Sequence, residues 1–339
     1  MKKYISILVI VMLVVGCLFG CGNSEESKDG SDDDSNRISI MTTIFPEYDW
    51  VRNIVGESSE NVEVSMLLDN GVDLHSYQPT AEDIMKISTC DMFIYVGGES
   101  DEWVADALKE STNPDMIVIN LLEVLGDAAK TEEVIEGMEG HDHEDDHDDE
   151  DDHASEDHDH ESLDEHVWLS LKNAEVLINE IADSIQKLDS EHAETYKQNA
   201  ENYIEEIRAL DSEYAETIAA APNKTLVFGD RFPFRYLVDD YGLTYYAAFV
   251  GCAAETEASF ETITFLAEKV DEQSIGYVLA IEGSDGRIAD TVISSTKTKT
   301  QKRLMLDSMQ SVTKGDVASG ATYISIMKKN LEVLKEALY

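Results

Sequence analysis

From residue 37 onward, short apolar runs alternate with amphipathic stretches. ISIMTTI (38–44), VEVSMLL (62–68), DMFIYVG (91–97) and MIVIN (116–120) read as strands. PEYDWVRNIVG (46–56), closed by Gly56, TAEDIMKIS (80–88) and SDEWVADALKE (100–110) read as the helices among them. The texture changes over 171–221. Leu177, Ile178, Ile181, Ile185 and Leu188 recur at three- and four-residue spacing. The rhythm resumes through Tyr196, Ala200, Tyr203, Ile204, Ile207, Leu210, Tyr214 and Ile218. With no Pro or Gly inside, this is long helix, broken once near Asp189–Ser190 and stopped by Pro222. Alternation then restarts with strands at 224–229, 243–249, 276–283 and 302–307. Helices are expected over 234–241, 259–272, 285–295 and 321–337. Strand and helix in turn predict parallel sheets covered on both faces. The expected architecture is therefore two α/β lobes, 37–170 and 222–339, joined by the long helical stretch 171–221.

One segment breaks the pattern. Residues 141–160 read HDHEDDHDDEDDHASEDHDH, and all but two of these side chains are His, Asp or Glu. Such a run has almost no apolar surface to offset the cost of ordering it, so 140–162 is expected to be a solvated loop inserted in the first lobe. Acidic runs are commonly mere spacers, but His141, His143, His147, His153, His158 and His160 make up six of the nine His in the chain. Imidazole is a favoured ligand for zinc, copper and nickel. The net charge of −46 leaves no basic patch for phosphates, which argues against nucleic acid, and it suits recruitment of cations.

The N-terminus supplies an address. Lys2 and Lys3 precede the apolar run 4–15, too short for a comfortable membrane span and long enough for a signal peptide. It ends in LFGC, which resembles the bacterial lipobox; this implies a signal peptide over 1–20 and lipid on the sulfur of Cys21, with Cys17 a weaker candidate. Residues 21–36 would be a flexible tether, and the expected location is extracytoplasmic, lipid-anchored to the bacterial cell membrane. Of the four cysteines only Cys90 and Cys252 remain in the body, and their placement in different lobes argues against pairing.

In open α/β sheets ligands bind beyond the carboxyl ends of the strands. Metal-competent side chains expected there are His75, His166, Asp230, Glu282 and Asp307. A lone loop His is more often a surface or capping residue, so it is the convergence of the five that points to a site. His192, expected inside a helix, reads as packing.

The segments DNGVDLHSYQPTAEDI, DEHVWLSLKNAEVL, LDSEHAETYKQNAENY and TYISIMKKNLEVL resemble the zinc- and manganese-binding receptor lipoproteins of ABC transporters. The resemblance implies one transition metal in a cleft between the lobes, and delivery to a membrane permease driven by a cytoplasmic ATPase. It places the first ligand on His75, within G-x-x-x-H-x-Y-x-P-T, and the second on His166, within H-V-W-L-S. At the third position zinc members usually carry His and manganese members often Glu. Here the text is VFGDRFPFRYLVDDYGL, and the count lands on Arg231, which cannot coordinate a metal. Asp230, one residue away, is expected to substitute, and Asp307 matches the fourth, carboxylate ligand. Glu282 is held in reserve as structural. The acid-histidine loop favours Zn2+ over Mn2+. The chain is thus expected to be a monomeric zinc receptor and not an enzyme. Alternatives are a manganese receptor, a surface zinc buffer or adhesin, and, least favoured, a zinc hydrolase.

Overall fold

The computed structural model describes residues 37–139, 162–253 and 257–339. The expected signal peptide, tether, Cys17, Cys21 and all six loop His lie outside these residues. Two four-stranded, wholly parallel sheets carry the fold. In the first, β1 (Ile38–Thr42), β2 (Val62–Met66), β3 (Met92–Tyr95) and β4 (Ile117–Asn120) run in the order β2-β1-β3-β4. In the second, β5 (Thr225–Phe232), β6 (Thr244–Val250), β7 (Tyr277–Ile281) and β8 (Lys302–Leu306) run in the order β6-β5-β7-β8. Strands covered on both faces need continuous apolar text. MFIY of β3 and YVLAI of β7 supply it, with Met92, Phe93, Ile94, Val278 and Ala280 excluded from solvent.

Helices cover the sheets: α1 (Phe45–Val55), α2 (Ala81–Thr89), α3 (Val104–Ala107) and α4 (Leu121–Leu125) in the first lobe. The stretch expected to be a helix over 100–110 is only α3 flanked by 3-10 turns. The long helical region is α5 (Leu171–Leu188) and α6 (Ala193–Ala220). Asp189 makes the break, since its Oδ2 accepts from His192 Nδ1 (2.8 Å) and the Tyr196 hydroxyl (2.7 Å). His192 is therefore at the entry to α6, not inside a helix. The second lobe adds α7 (Arg235–Tyr241), α8 (Phe260–Glu272), α9 (Arg287–Ser295), α10 (Lys314–Ala318) and α11 (Tyr323–Leu338).

α6, about 42 Å long at 1.5 Å per residue, is bonded to both lobes. Tyr203 donates to Asp49 of α1 (2.9 Å), and Tyr214 to the Met327 carbonyl of α11 (2.6 Å). Asp49 also accepts from Tyr323 N (3.1 Å), and Trp168 Nε1 donates to the Ser308 carbonyl (2.8 Å). Buried polar groups so paired, in a low-dielectric interior, hold the lobes in one arrangement.

Residues 129–139, within the range expected for the first lobe, make their bonds elsewhere. Lys130 N donates to the Tyr236 hydroxyl (2.9 Å), and Glu139 N to the Ala248 carbonyl (2.9 Å), forming a bridge beside Phe249. This stretch runs along the edge strand of the second sheet. The chain at 162–164 returns alongside it, with Glu132 N donating to the Ser162 carbonyl and Asp164 N to the Lys130 carbonyl (each 2.8 Å).

Candidate metal centre

Each imidazole of the centre is placed by a short 3-10 turn, His75 in the connection after β2 and His166 just ahead of α5. After β2 the chain forms a 3-10 turn, Leu74–Ser76, whose N-cap Asp73 accepts the His75 N–H through Oδ1 (3.0 Å). The other oxygen of Asp73 pairs with the Arg231 guanidinium of β5, so a residue of the second lobe holds the turn that carries His75. Burial raises the Asp73 pKa, but Arg231 and then His75 outweigh it, and the carboxyl sits below its usual range. His166 precedes a second 3-10 turn, Val167–Leu169, and its N–H donates to Asp164 Oδ1 (2.9 Å). His166 is fully buried, and the His75 side chain is 7% exposed.

The partners of the two rings fix their tautomers. His166 Nδ1 lies 3.1 Å from Asp164 Oδ1; His75 Nδ1 lies 2.7 Å from the Ser100 hydroxyl and 3.3 Å from Glu165 Oε2. A carboxylate accepts only, so the proton belongs on Nδ1 of His166, and the same choice suits His75 beside Glu165. Each Nε2 then presents a lone pair, and the two Nε2 atoms are 3.1 Å apart. Facing lone pairs repel unless a proton or a cation lies between them. Two zinc–nitrogen bonds of about 2.0–2.1 Å at the tetrahedral angle place their nitrogens about 3.3 Å apart. An imidazole whose Nδ1–H is held by a carboxylate is the usual way proteins orient a metal-binding His. For His166, burial opposes the charged ring, but Asp164, with Glu165 behind it, overcomes burial and raises the pKa. A proton would therefore compete with a metal for this gap. Glu165 is itself kept below its ordinary value: burial raises it, and His75 and Ser100 lower it by more.

Among the described residues one group of three side chains brings its ligand atoms within 4.8 Å of one another: His75, His166 and Cys252. Asp230 and Asp307 do not join it. β5 takes one extra residue against β6 between Phe228 and Arg231, so the strand continues past Gly229 where a turn was expected. Asp230 Oδ1 accepts from Arg231 N (3.0 Å) and Oδ2 from Ile281 N (3.4 Å). Its side chain thus sits toward β7, lining a cavity of about 500 Å³ with Asp73, Arg231 and Glu282. Asp307, after β8, accepts the Met309 N–H (2.8 Å). Glu282 caps the loop that follows β8: its oxygens accept from Ser308 N (2.6 Å), Ser308 Oγ (2.7 Å) and Gln310 N (3.0 Å). Burial, then Asp307, push it up to about 7 against those bonds.

The centre opens into a cavity of about 210 Å³ whose lining includes His75, Ser100, Glu132, Ser162, Glu165 and Cys252. A larger cavity of about 1020 Å³, lined by Tyr48, Arg52, Lys86 and Lys314 among others, contains no His or Cys. Reading the sequence missed Asp164, Glu165, Ser100 and Cys252. The first two stand immediately before His166 in D-E-H. Cys252 stands two residues past the end of β6, close to the kind of strand-end position that marks Asp230. Cys90 and Cys252 are both free thiols.

A two-sheet fold with a buried His pair whose outer nitrogens lie against carboxylates defines a metal-binding receptor architecture. The chain belongs to the family described as zinc-uptake complex component A, periplasmic, which matches residues 40–337. It is 33% identical over 329 residues to the zinc-binding lipoprotein AdcA of Streptococcus pneumoniae serotype 4, covering 97% of this chain and 60% of that protein. The chain thus spans less than two thirds of the length of the AdcA relatives it matches. With the high-affinity zinc uptake system protein ZnuA of Bacillus subtilis it shares 29% identity over 99% of this chain and 98% of that one. The Zn(II)-bound ZnuA-like domain of S. pneumoniae AdcA superposes with a TM-score of 0.67 at 28% identity, over 89% of this chain and 99% of that domain.

Proposed function

We propose that this protein captures zinc outside the cytoplasm and hands it to an ABC importer, made of a membrane permease and its ATPase. The observation that carries the reading is the pair of Nε2 atoms 3.1 Å apart with each opposite nitrogen held by an outer partner. Family membership and the zinc-binding relatives support it. Titration of the full chain against a chromophoric zinc chelator tests it. Wild type should hold one tight equivalent, and His75→Ala and His166→Ala should lose it with their folds intact. Tight zinc retained in both variants would refute the reading. Zinc-limited growth of cells lacking the permease, with and without the receptor, separates import from buffering: a receptor that still restores growth there is not serving that importer.

Two accessory roles rest on the sequence. Cys21 carries the lipid that keeps the receptor at the membrane, and Cys21→Ala should abolish incorporation of labelled fatty acid. His141, His143, His147, His153, His158 and His160 collect zinc weakly and raise its concentration near the cleft. Glu282, the base that the hydrolase alternative would need, holds Ser308 and Gln310 in the loop after β8, which supports a structural role for it.

A further inference from the structure

We propose that the Cys252 sulfur is the third protein ligand of the cleft metal, giving a site of two imidazoles and one thiolate. This rests on the receptor reading above and replaces the carboxylates Asp230 and Asp307 in it. Cys252 stands in the turn after β6, at the carboxyl end of a strand of the second sheet, whereas His75 follows β2 of the first. The metal would therefore bond to both lobes. The turn is fixed in place. Cys252 N donates to Glu132 Oε1 (3.1 Å), and Gly251 lies so close to His166 that an added Cβ would come within 3.0 Å of Cε1 and 2.9 Å of the Phe232 carbonyl. The glycine thus lets the turn bring its cysteine up to the ring.

The carboxylates of the second lobe are engaged elsewhere and stand outside the group of three: both oxygens of Asp230 accept backbone N–H groups, and Asp307 Oδ1 accepts the Met309 N–H. Bonds of about 2.3 Å to sulfur and 2.0–2.1 Å to nitrogen set a tetrahedral N···S separation of about 3.5 Å. The three ligand atoms lie within 4.8 Å of one another, so contraction by roughly an ångström completes the set. On binding, the thiol S–H bond breaks, the sulfur lone pair forms the metal–sulfur bond and the proton passes to solvent. Three protein ligands leave a fourth position for water. Thiolate and imidazole suit zinc, whereas manganese prefers oxygen donors, so the donor set itself selects the cargo.

Cobalt(II) as the probe tests this in the full chain, because thiolate ligation adds an intense near-ultraviolet charge-transfer band that imidazole and carboxylate lack. Wild type, Cys90→Ser and the Cys17→Ser/Cys21→Ser double variant should show the band at one equivalent of cobalt. Cys252→Ser should lose it while melting like wild type without metal. Its zinc affinity should fall by more than the roughly 10–100-fold typical of losing an outer-shell partner. Asp230→Asn and Asp307→Asn should keep both band and affinity. One tight cobalt without the band in wild type would overturn the cysteine ligand and leave the receptor reading standing. Absence of any tight metal in wild type would overturn both.

Discussion

At His166 a proton and the proposed metal would contest the same space. Burial disfavours a second proton on the ring, and Asp164 and Glu165 together favour it by more. The same carboxylate that raises the pKa also fixes the tautomer needed for a metal. Replacing Asp164 with Asn should therefore weaken zinc binding by about 10–100-fold without removing the site, as loss of an outer-shell partner does. Chelator competition measures this, and an unchanged affinity would show that Asp164 does not orient the ring. At this scale the sequence marks His75 and His166, each in a distinctive local motif, and the structure brings their rings together. It does not mark Cys252, the third ligand proposed above. The count along the chain lands on Arg231, whose partner Asp73 is 158 residues away, and only the three-dimensional fold shows that pairing. Asp230, expected to stand in for Arg231, lies where β5 takes an extra residue against β6, and its side chain lies toward β7.

Among the elements, α1 carries an unusual burial. Glu47 Oε2 accepts from Thr43 N (2.8 Å), Thr43 Oγ1 (3.1 Å) and Ile44 N (3.2 Å) at the start of that helix. Burial, then Asp101, raise the Glu47 pKa well above its ordinary 4.5 despite those bonds. The folded chain thus keeps a proton that the unfolded chain releases near pH 4.5. Stability from this group is full below that pH and declines as pH rises toward the folded value. Glu47→Gln has no proton to lose, so its stability relative to wild type should improve steadily above about pH 4.5. Urea unfolding across pH 4–8 measures the difference, and a difference that does not change with pH would contradict the assignment. Element order was legible because the two hydrophobic periods are distinct, and α5 and α6 follow the apolar spacing closely, with their break at Asp189. Residues 129–139 were not legible. Their text, AKTEEVIEGME, has neither period, and their bonds to Tyr236 of α7 and Ala248 of edge strand β6 depend on elements more than a hundred residues later.

For the whole molecule, the proposed metal would add a bond between two lobes already tied through Asp49, Tyr203 and Tyr323. A ligand that binds only the folded form adds stability by mass action. Zinc at a hundredfold excess over its dissociation constant should raise unfolding stability by about 2.7 kcal/mol. His75→Ala and His166→Ala should show no such gain under the same zinc. Deletion of 140–161 should remove the weak zinc equivalents and leave this stabilisation unchanged; a lost stabilisation would make the loop part of the tight site. The most direct test of the central claim is an anomalous difference map at the zinc edge from crystals of the zinc-loaded chain. The account predicts one strong peak about 2.0–2.1 Å from His75 Nε2 and His166 Nε2 and about 2.3 Å from Cys252 Sγ. A peak instead among Asp230, Glu282 and Asp73, or none between the two imidazoles, would contradict it.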